Sequence, residues 1–151
     1  MKIYSIRTLE ELKTYRKSWN DILESNQNDN PFIEFDWIEN WWRYLGKTLN
    51  VEILIVEKDE EIIAFCPFIF NRKWNTTIIE FLGHGEANYM DFIVYDKERE
   101  VSIQFVFEEM MKLESKCVFN LHGLLSSSPS MNIISSVLVK IGIEPSIFPV
   151  I

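Results

Sequence analysis

The sequence is poor in cysteine, glycine and cations, and it has no long apolar run. Two cysteines in 151 residues are too few for a disulfide framework. The longest apolar stretch, residues 62–70, is far shorter than the roughly 20 residues of a membrane helix. The five glycines form neither a Walker loop nor a Gly-x-Gly-x-x-Gly fingerprint. We therefore expect a reduced, cytoplasmic protein without a membrane span.

The negative net charge also argues against two kinds of partner, nucleic acids and anionic membranes. Fifteen Lys and Arg against 23 Asp and Glu give a net charge of −8. A general nucleic-acid binder needs a basic surface, and so does a protein that binds anionic membranes. We expect neither class of partner. The two histidines, 38 positions apart in sequence, show no metal-ligand spacing.

The chain is nevertheless rich in core-forming residues, since 47% are hydrophobic and 14% aromatic. This composition predicts one folded domain over residues 1–151. The charge lies in residues 1–116, because residues 117–151 hold only Lys140 and Glu144. Such an uncharged end is expected to be buried as a strand or to meet another half or another copy.

Apolar spacing, capping residues and breakers predict four helices, over residues 8–25, 35–45, 96–115 and 128–141. The first begins at the Thr8 capping box and the third at an Asp96 cap. Runs of β-branched and aromatic residues predict seven strands, at 3–6, 51–57, 62–70, 77–82, 90–95, 118–121 and 146–150. Pro67 then marks a bulge or an edge position. The order predicts an α/β (α+β) fold with a mixed sheet of about six to seven strands and helices on both faces.

Several short motifs have a common family likeness. They are Phe32, Trp37 and Trp41-Trp42 before Gly46, then Ala64 to Phe68, then Phe81-Leu82-Gly83 followed by Asn88 to Phe92, and finally Ser128-Pro129. In order and spacing they resemble the CelD-like acetyltransferases, which are linked to cellulose biosynthesis and belong to the GNAT N-acyltransferases. The relationship extends to the FemABX-type transferases.

The resemblance implies a GNAT-like domain that is the first half of a tandem, or its stand-alone remnant. The second half would carry the acyl-donor site, and this half would bind the acceptor, a small molecule or a cell-envelope group. The complete enzyme would then use acetyl-CoA or another acyl-CoA, with no cofactor in this half. The partner would be a second GNAT-like half, or another copy meeting the uncharged C-terminal segment.

The turn at residues 96–100 corresponds to the pyrophosphate site of GNAT enzymes. It has no glycine, and it carries three carboxylates beside Lys97 and Arg99. Because carboxylates occupy the positive end of a helix dipole that would attract pyrophosphate, we expect a degenerate acyl-CoA site. The alternatives are a self-sufficient acetyl-CoA-dependent N-acetyltransferase and a non-catalytic interaction module.

The polar loop at residues 83–91 is the best candidate site, because loops on a rigid sheet often carry function. His84 could act as a base, Tyr89 could donate a proton, and Asp91 could bind an amine or orient His84. The loop equally suits a plain turn. Candidate substrate-binding residues are Glu86, Asn88, Trp41 and Trp42, although the spacing of the two tryptophans also suits a helix core.

Overall fold

The computed structural model describes residues 1–114 and 116–148. In chain order the elements are β1 (Lys2–Ile6), α1 (Leu9–Lys13), α2 (Arg16–Ser25), α3 (Phe35–Tyr44), β2 (Val51–Lys58), β3 (Glu61–Lys73), β4 (Thr76–Phe81), β5 (Ile93–Val94), α4 (Arg99–Leu113), β6 (Cys117–Asn120) and α5 (Pro129–Lys140). Short 3-10 turns at Pro31–Ile33 and Asp96–Glu98 precede α3 and α4.

The described residues form a mixed six-stranded sheet. Its order is β1-β2-β3-β4-β6, with β5 also paired to β3. All neighbours are antiparallel except β4 and β6, which run parallel. The predicted mixed sheet of about six strands is therefore confirmed.

Helices cover both faces of this sheet. Residues three apart on a strand point to opposite faces, and Phe65 and Phe68 of β3 show the two sides. Phe65 contacts Trp19 of α2, whereas Phe68 contacts Phe119 of β6, which packs on Phe107 of α4. α5 lies beside α4. The predicted helices on both faces are thus confirmed.

β4 and β5 are two pieces of one strand line. β4 pairs with residues 68–73 of β3, and β5 pairs with residues 64–65. The segment 82–92 leaves this line and returns to it. Pro67 lies opposite the interruption, and its carbonyl accepts the Leu82 amide at 2.8 Å. The missing N–H of Pro67 faces the gap, so a proline is tolerated in a central strand rather than at the predicted edge.

Other boundaries differ from prediction for local reasons. The first helix divides into α1 and α2, because the Thr14 hydroxyl and amide both bond the Glu11 carbonyl. The strand predicted at residues 90–95 shrinks to β5. In that segment the Met90 amide bonds the Gly123 carbonyl, and the Asp91 carboxylate accepts the Phe92 amide.

The predicted start of α4 and the predicted last strand are wrong in part. Asp96 does not cap α4, which begins at Arg99; its carboxylate binds that arginine instead. The helix ends at Leu113, and Ser115, its predicted limit, lies outside the described residues. Residues 146–148 are not in a strand, and the rest of the predicted strand at 146–150 lies outside the described part. Within that part, no helix is long and apolar enough to cross a membrane.

Candidate functional site

A cleft of about 320 Å³ lies beside β4, where the face of the sheet extends past the end of α3. It is lined by Trp41, Leu45, Leu49, Ile69, Asn71, Glu80, His84 and Glu86. Ile69 and Glu80 are cross-strand partners and so share this face of the sheet. The cleft therefore combines apolar walls with two carboxylates and an imidazole.

His84 is oriented by a carboxylate of its own strand line. Its Nδ1 lies 3.1 Å from Oε2 of Glu80, and the two side chains are 40% and 27% exposed. A carboxylate only accepts hydrogen bonds, so Nδ1 is the donor. In the neutral ring, Nε2 then carries the lone pair and can take a proton.

His122 joins His84 at the same edge of the sheet. Their ring centroids are 4.2 Å apart, with the planes inclined at 67°. β4 and β6 are parallel neighbours, and Glu80 pairs with Asn120 near their carboxyl ends. Residues that follow such ends meet in space, and ligands of α/β folds often bind there.

Trp41 belongs to the core and also reaches the cleft. It is 6% exposed and belongs to the core, yet it also lines the cleft. Its indole N–H donates to Oε2 of Glu86 at 3.2 Å, which ties the helix to the loop. Its ring lies over Gly46, where a Cβ would come within 2.6 Å of it. Trp42 is equally buried and packs in the core.

A second polar cluster lies where α4 and α5 begin. Asp91 accepts hydrogen bonds from the hydroxyls of Ser128 and Ser130, and it lies 3.6 Å from the Arg99 guanidinium. The same guanidinium bonds Ser130 at 2.8 Å and Asp96 at 2.8 Å. Arg99 is 8% exposed and Asp91 18%. Ser128 and Pro129 begin α5, as predicted.

Comparison with known proteins now adds the fold family. No protein-family model matches the chain, and no curated protein matches it either. A crystal structure of a probable acetyltransferase superposes on it with a TM-score of 0.50 and 14% identity, covering 99% of this chain and 98% of that one. The fold is GNAT-like. At this identity the likeness concerns the fold alone.

A second solved structure is a predicted acetyltransferase with acetyl-CoA from Clostridium acetobutylicum. It is 12% identical and covers 96% of this chain and 92% of that one, with a TM-score of 0.42. The first of the two structures confirms the GNAT-like fold expected from the sequence, while the CelD-like assignment stays a prediction.

The residues of loop 83–91 that were predicted to form one site have side chains in three separate places on this GNAT-like domain. His84 and Glu86 line the cleft, and Glu80 rather than Asp91 contacts His84. Asp91 lies in the serine and arginine cluster. Tyr89 packs edge-on against Phe32 at 6.3 Å and is 46% exposed. The side chain of Asn88 is exposed.

Each of the three carboxylates at the start of α4 is paired with a cation. Asp96 pairs with Arg99, Glu98 with Lys58 at 3.0 Å, and Glu100 with Lys140 at 2.6 Å. From the sequence we also expect Lys97 and Arg99 not to offset these carboxylates, and this expectation is wrong for Arg99. The two lysines come from positions 40 residues away in sequence.

Glu80 is a cleft residue that was not predicted from the sequence, and the contact of His84 with His122 was not predicted either. The crossover from β4 through α4 to β6 suits parallel neighbouring strands, and this was the available signal. It would have placed residues following β4 beside residues following β6.

The cysteines have little nucleophilic character. Burial raises the pKa of the Cys66 thiol. Burial, with the Glu114 carboxylate adding to it, raises the pKa of Cys117 to about 11. Both side chains are therefore thiols at neutral pH, whereas a nucleophile must be a thiolate.

Proposed function

We propose that this chain is the acceptor-binding domain of a CelD-like N-acyltransferase and that its own acyl-CoA site is degenerate. The acceptor, a small molecule or a cell-envelope group, binds in the cleft beside β4. The acyl donor is carried by a second GNAT-like half or by another copy.

The single observation that carries this proposal is the pairing of Asp91. The starts of α4 and α5 each attract an anion, and Arg99 lies between them. That position is filled by the protein's own carboxylate, held by two serine hydroxyls and the guanidinium. A pyrophosphate would have to displace it and would meet its charge. The residues present therefore do not fit a CoA pyrophosphate.

The cleft offers what an amine acceptor needs. Glu80 and Glu86 attract an ammonium group, and the apolar walls suit its hydrocarbon part. His84 then takes a proton from the bound ammonium on Nε2, which leaves a nucleophilic amine. Glu80 stabilises the imidazolium that forms, as an orienting carboxylate does for a catalytic histidine.

Two titrations test the two parts of the proposal. Acetyl-CoA is titrated calorimetrically into the purified chain, and we expect no binding in the micromolar range; micromolar affinity would contradict the degenerate site. Primary amines are titrated while the indole N–H resonance of Trp41 is followed by NMR. We expect this signal to shift, and to shift much less in Glu80→Gln, whereas Glu61→Gln on the β2–β3 hairpin is the matched control. If none of the amines shifts the Trp41 resonance, this result argues against acceptor binding in the cleft.

A self-sufficient N-acetyltransferase is the second candidate. It is favoured by the Glu80–His84 pair, in which a carboxylate orients a histidine that can act as a general base. Transfer of an acetyl group by the purified chain would support it. In that case His84→Ala should lose activity, while Tyr89→Phe tests whether Tyr89 donates a proton.

An interaction module is the third candidate. The side chains of Val139, Ile147 and Phe148 are 70%, 54% and 83% exposed, in a segment with almost no charge. Light scattering measures the oligomeric state. A monodisperse monomer argues against self-association.

A further inference from the structure

The chain has two histidines; His84 lines the cleft, and its ring contacts that of His122. Both side chains are exposed to solvent, so burial does not force this contact. Their approach is set by the backbone, since His84 follows β4 and His122 follows β6.

The segment that carries His122 is fixed to the loop that carries His84. The Gly123 carbonyl accepts the Met90 amide at 3.0 Å. Gly123 has a φ of +83°, and a Cβ there would lie 3.1 Å from the Met90 nitrogen. Glycine alone combines this left-handed conformation with so close an approach. The neighbouring histidine is therefore held at a defined distance from His84.

We propose that His122 is a positioning residue of the acceptor cleft. Its ring meets the His84 imidazole in an edge-to-face contact while Glu80 holds Nδ1, and together they keep Nε2 available for the proton of the acceptor. Glu80 alone fixes one nitrogen but leaves the ring free to tilt about that hydrogen bond. The contact with His122 restrains this tilt. The role of this ring orientation in proton transfer rests on the proposed function, whereas the orientation of the ring does not.

The test uses the intact chain labelled with ¹⁵N-histidine. Long-range ¹H–¹⁵N correlations at about pH 8, where histidine is largely neutral, give the ratio of Nδ1–H to Nε2–H tautomers of His84. We expect Nδ1–H to dominate, and His122→Ala to lower the ratio about 2- to 10-fold, or about 0.4–1.4 kcal/mol. His122→Phe keeps a ring without its nitrogens and should stay within twofold of the wild type. Glu80→Ala is the positive control.

Two results would overturn the inference. One is a His122→Ala variant that keeps its dispersed amide spectrum and an unchanged His84 tautomer ratio. The other, which needs no variant, is the lack of a nuclear Overhauser effect between the two rings in the wild-type protein. Neither readout depends on amine binding. A chain that binds no amine but shows the tautomer change refutes the proposed function and leaves the positioning role standing.

Discussion

Removal of the Asp91 carboxylate should destabilise the domain strongly. In Asp91→Ala the Arg99 guanidinium keeps Asp96 but loses its second carboxylate, and the hydroxyls of Ser128 and Ser130 lose their acceptor. Breaking a buried ion pair costs about 3–5 kcal/mol. Because Asp96 remains and Asp91 is 18% exposed, we expect the lower end, about 3 kcal/mol.

That loss would be a large part of the stability of a typical domain, about 5–15 kcal/mol. With a urea m-value of about 2 kcal/mol per molar, the unfolding midpoint should fall by about 1.5 M. Asp91→Asn keeps the oxygen acceptor and loses the charge, so it should lie between the wild type and Asp91→Ala. Urea unfolding followed by circular dichroism and by tryptophan fluorescence measures these shifts.

Asp29→Ala provides the matched control, since Asp29 is exposed and such changes usually stay within about 0.5 kcal/mol. If Asp91→Ala shifted the midpoint no more than Asp29→Ala, the contacts of Asp91 with Arg99, Ser128 and Ser130 would not stabilise the domain. The Asp91 carboxylate would then not be firmly held, and a pyrophosphate could displace it more easily than we propose.

Two further predictions concern titrating groups. The Arg72 guanidinium bonds Glu114 and lowers the pKa of that carboxyl; its stabilising effect is therefore present above the ordinary glutamate range and lost as pH falls through the lowered value. Thermal melts should accordingly show Glu114→Gln less stable than the wild type at pH 7 and equally stable near pH 2. A difference in melting temperature that does not change with pH would contradict the stabilising role of the Glu114 carboxylate. Because the pKa values of Cys66 and Cys117 are raised, Ellman's reagent at pH 8 should modify the native thiols roughly 100-fold more slowly than the unfolded ones, and equal rates would refute this.

The local parts of the fold were predictable because they depend on neighbours in sequence. The α3 pattern of Ile38, Trp41 and Trp42 gave a helix that buries the expected face. The β2–β3 hairpin followed from its β-branched runs. The loop between β4 and β5 was predicted, but the shortening of the strand expected at residues 90–95 was not, since it involves a hydrogen bond between Met90 and Gly123, 33 positions apart in sequence.

The candidate site was predictable as a place but not as a set of contacts. The composition of the loop pointed to His84 and Glu86, and both line the cleft. The partners of the other loop residues come from distant segments, as when Asp91 meets Ser128. The charges at residues 96–100 likewise did not predict the ion pairs formed there. Lys58 and Lys140 come from other elements and pair with the carboxylates at the start of α4.

The interrupted strand has a consequence for how this protein can change. The loop at residues 82–92 leaves β3 after β4 and returns to β3 at β5. Both of its ends are therefore fixed by strand pairing, whatever conformation the loop adopts. Residues 84–89 lie between Gly83 and the contacts of Met90 and Asp91, and insertions there carry a small closure cost, since doubling a loop costs only about 0.6 kcal/mol. The sheet would keep its register. The segment that bears His84 can thus be exchanged, and loops grafted between Gly83 and Met90 would change the acceptor preference if the proposed function is correct.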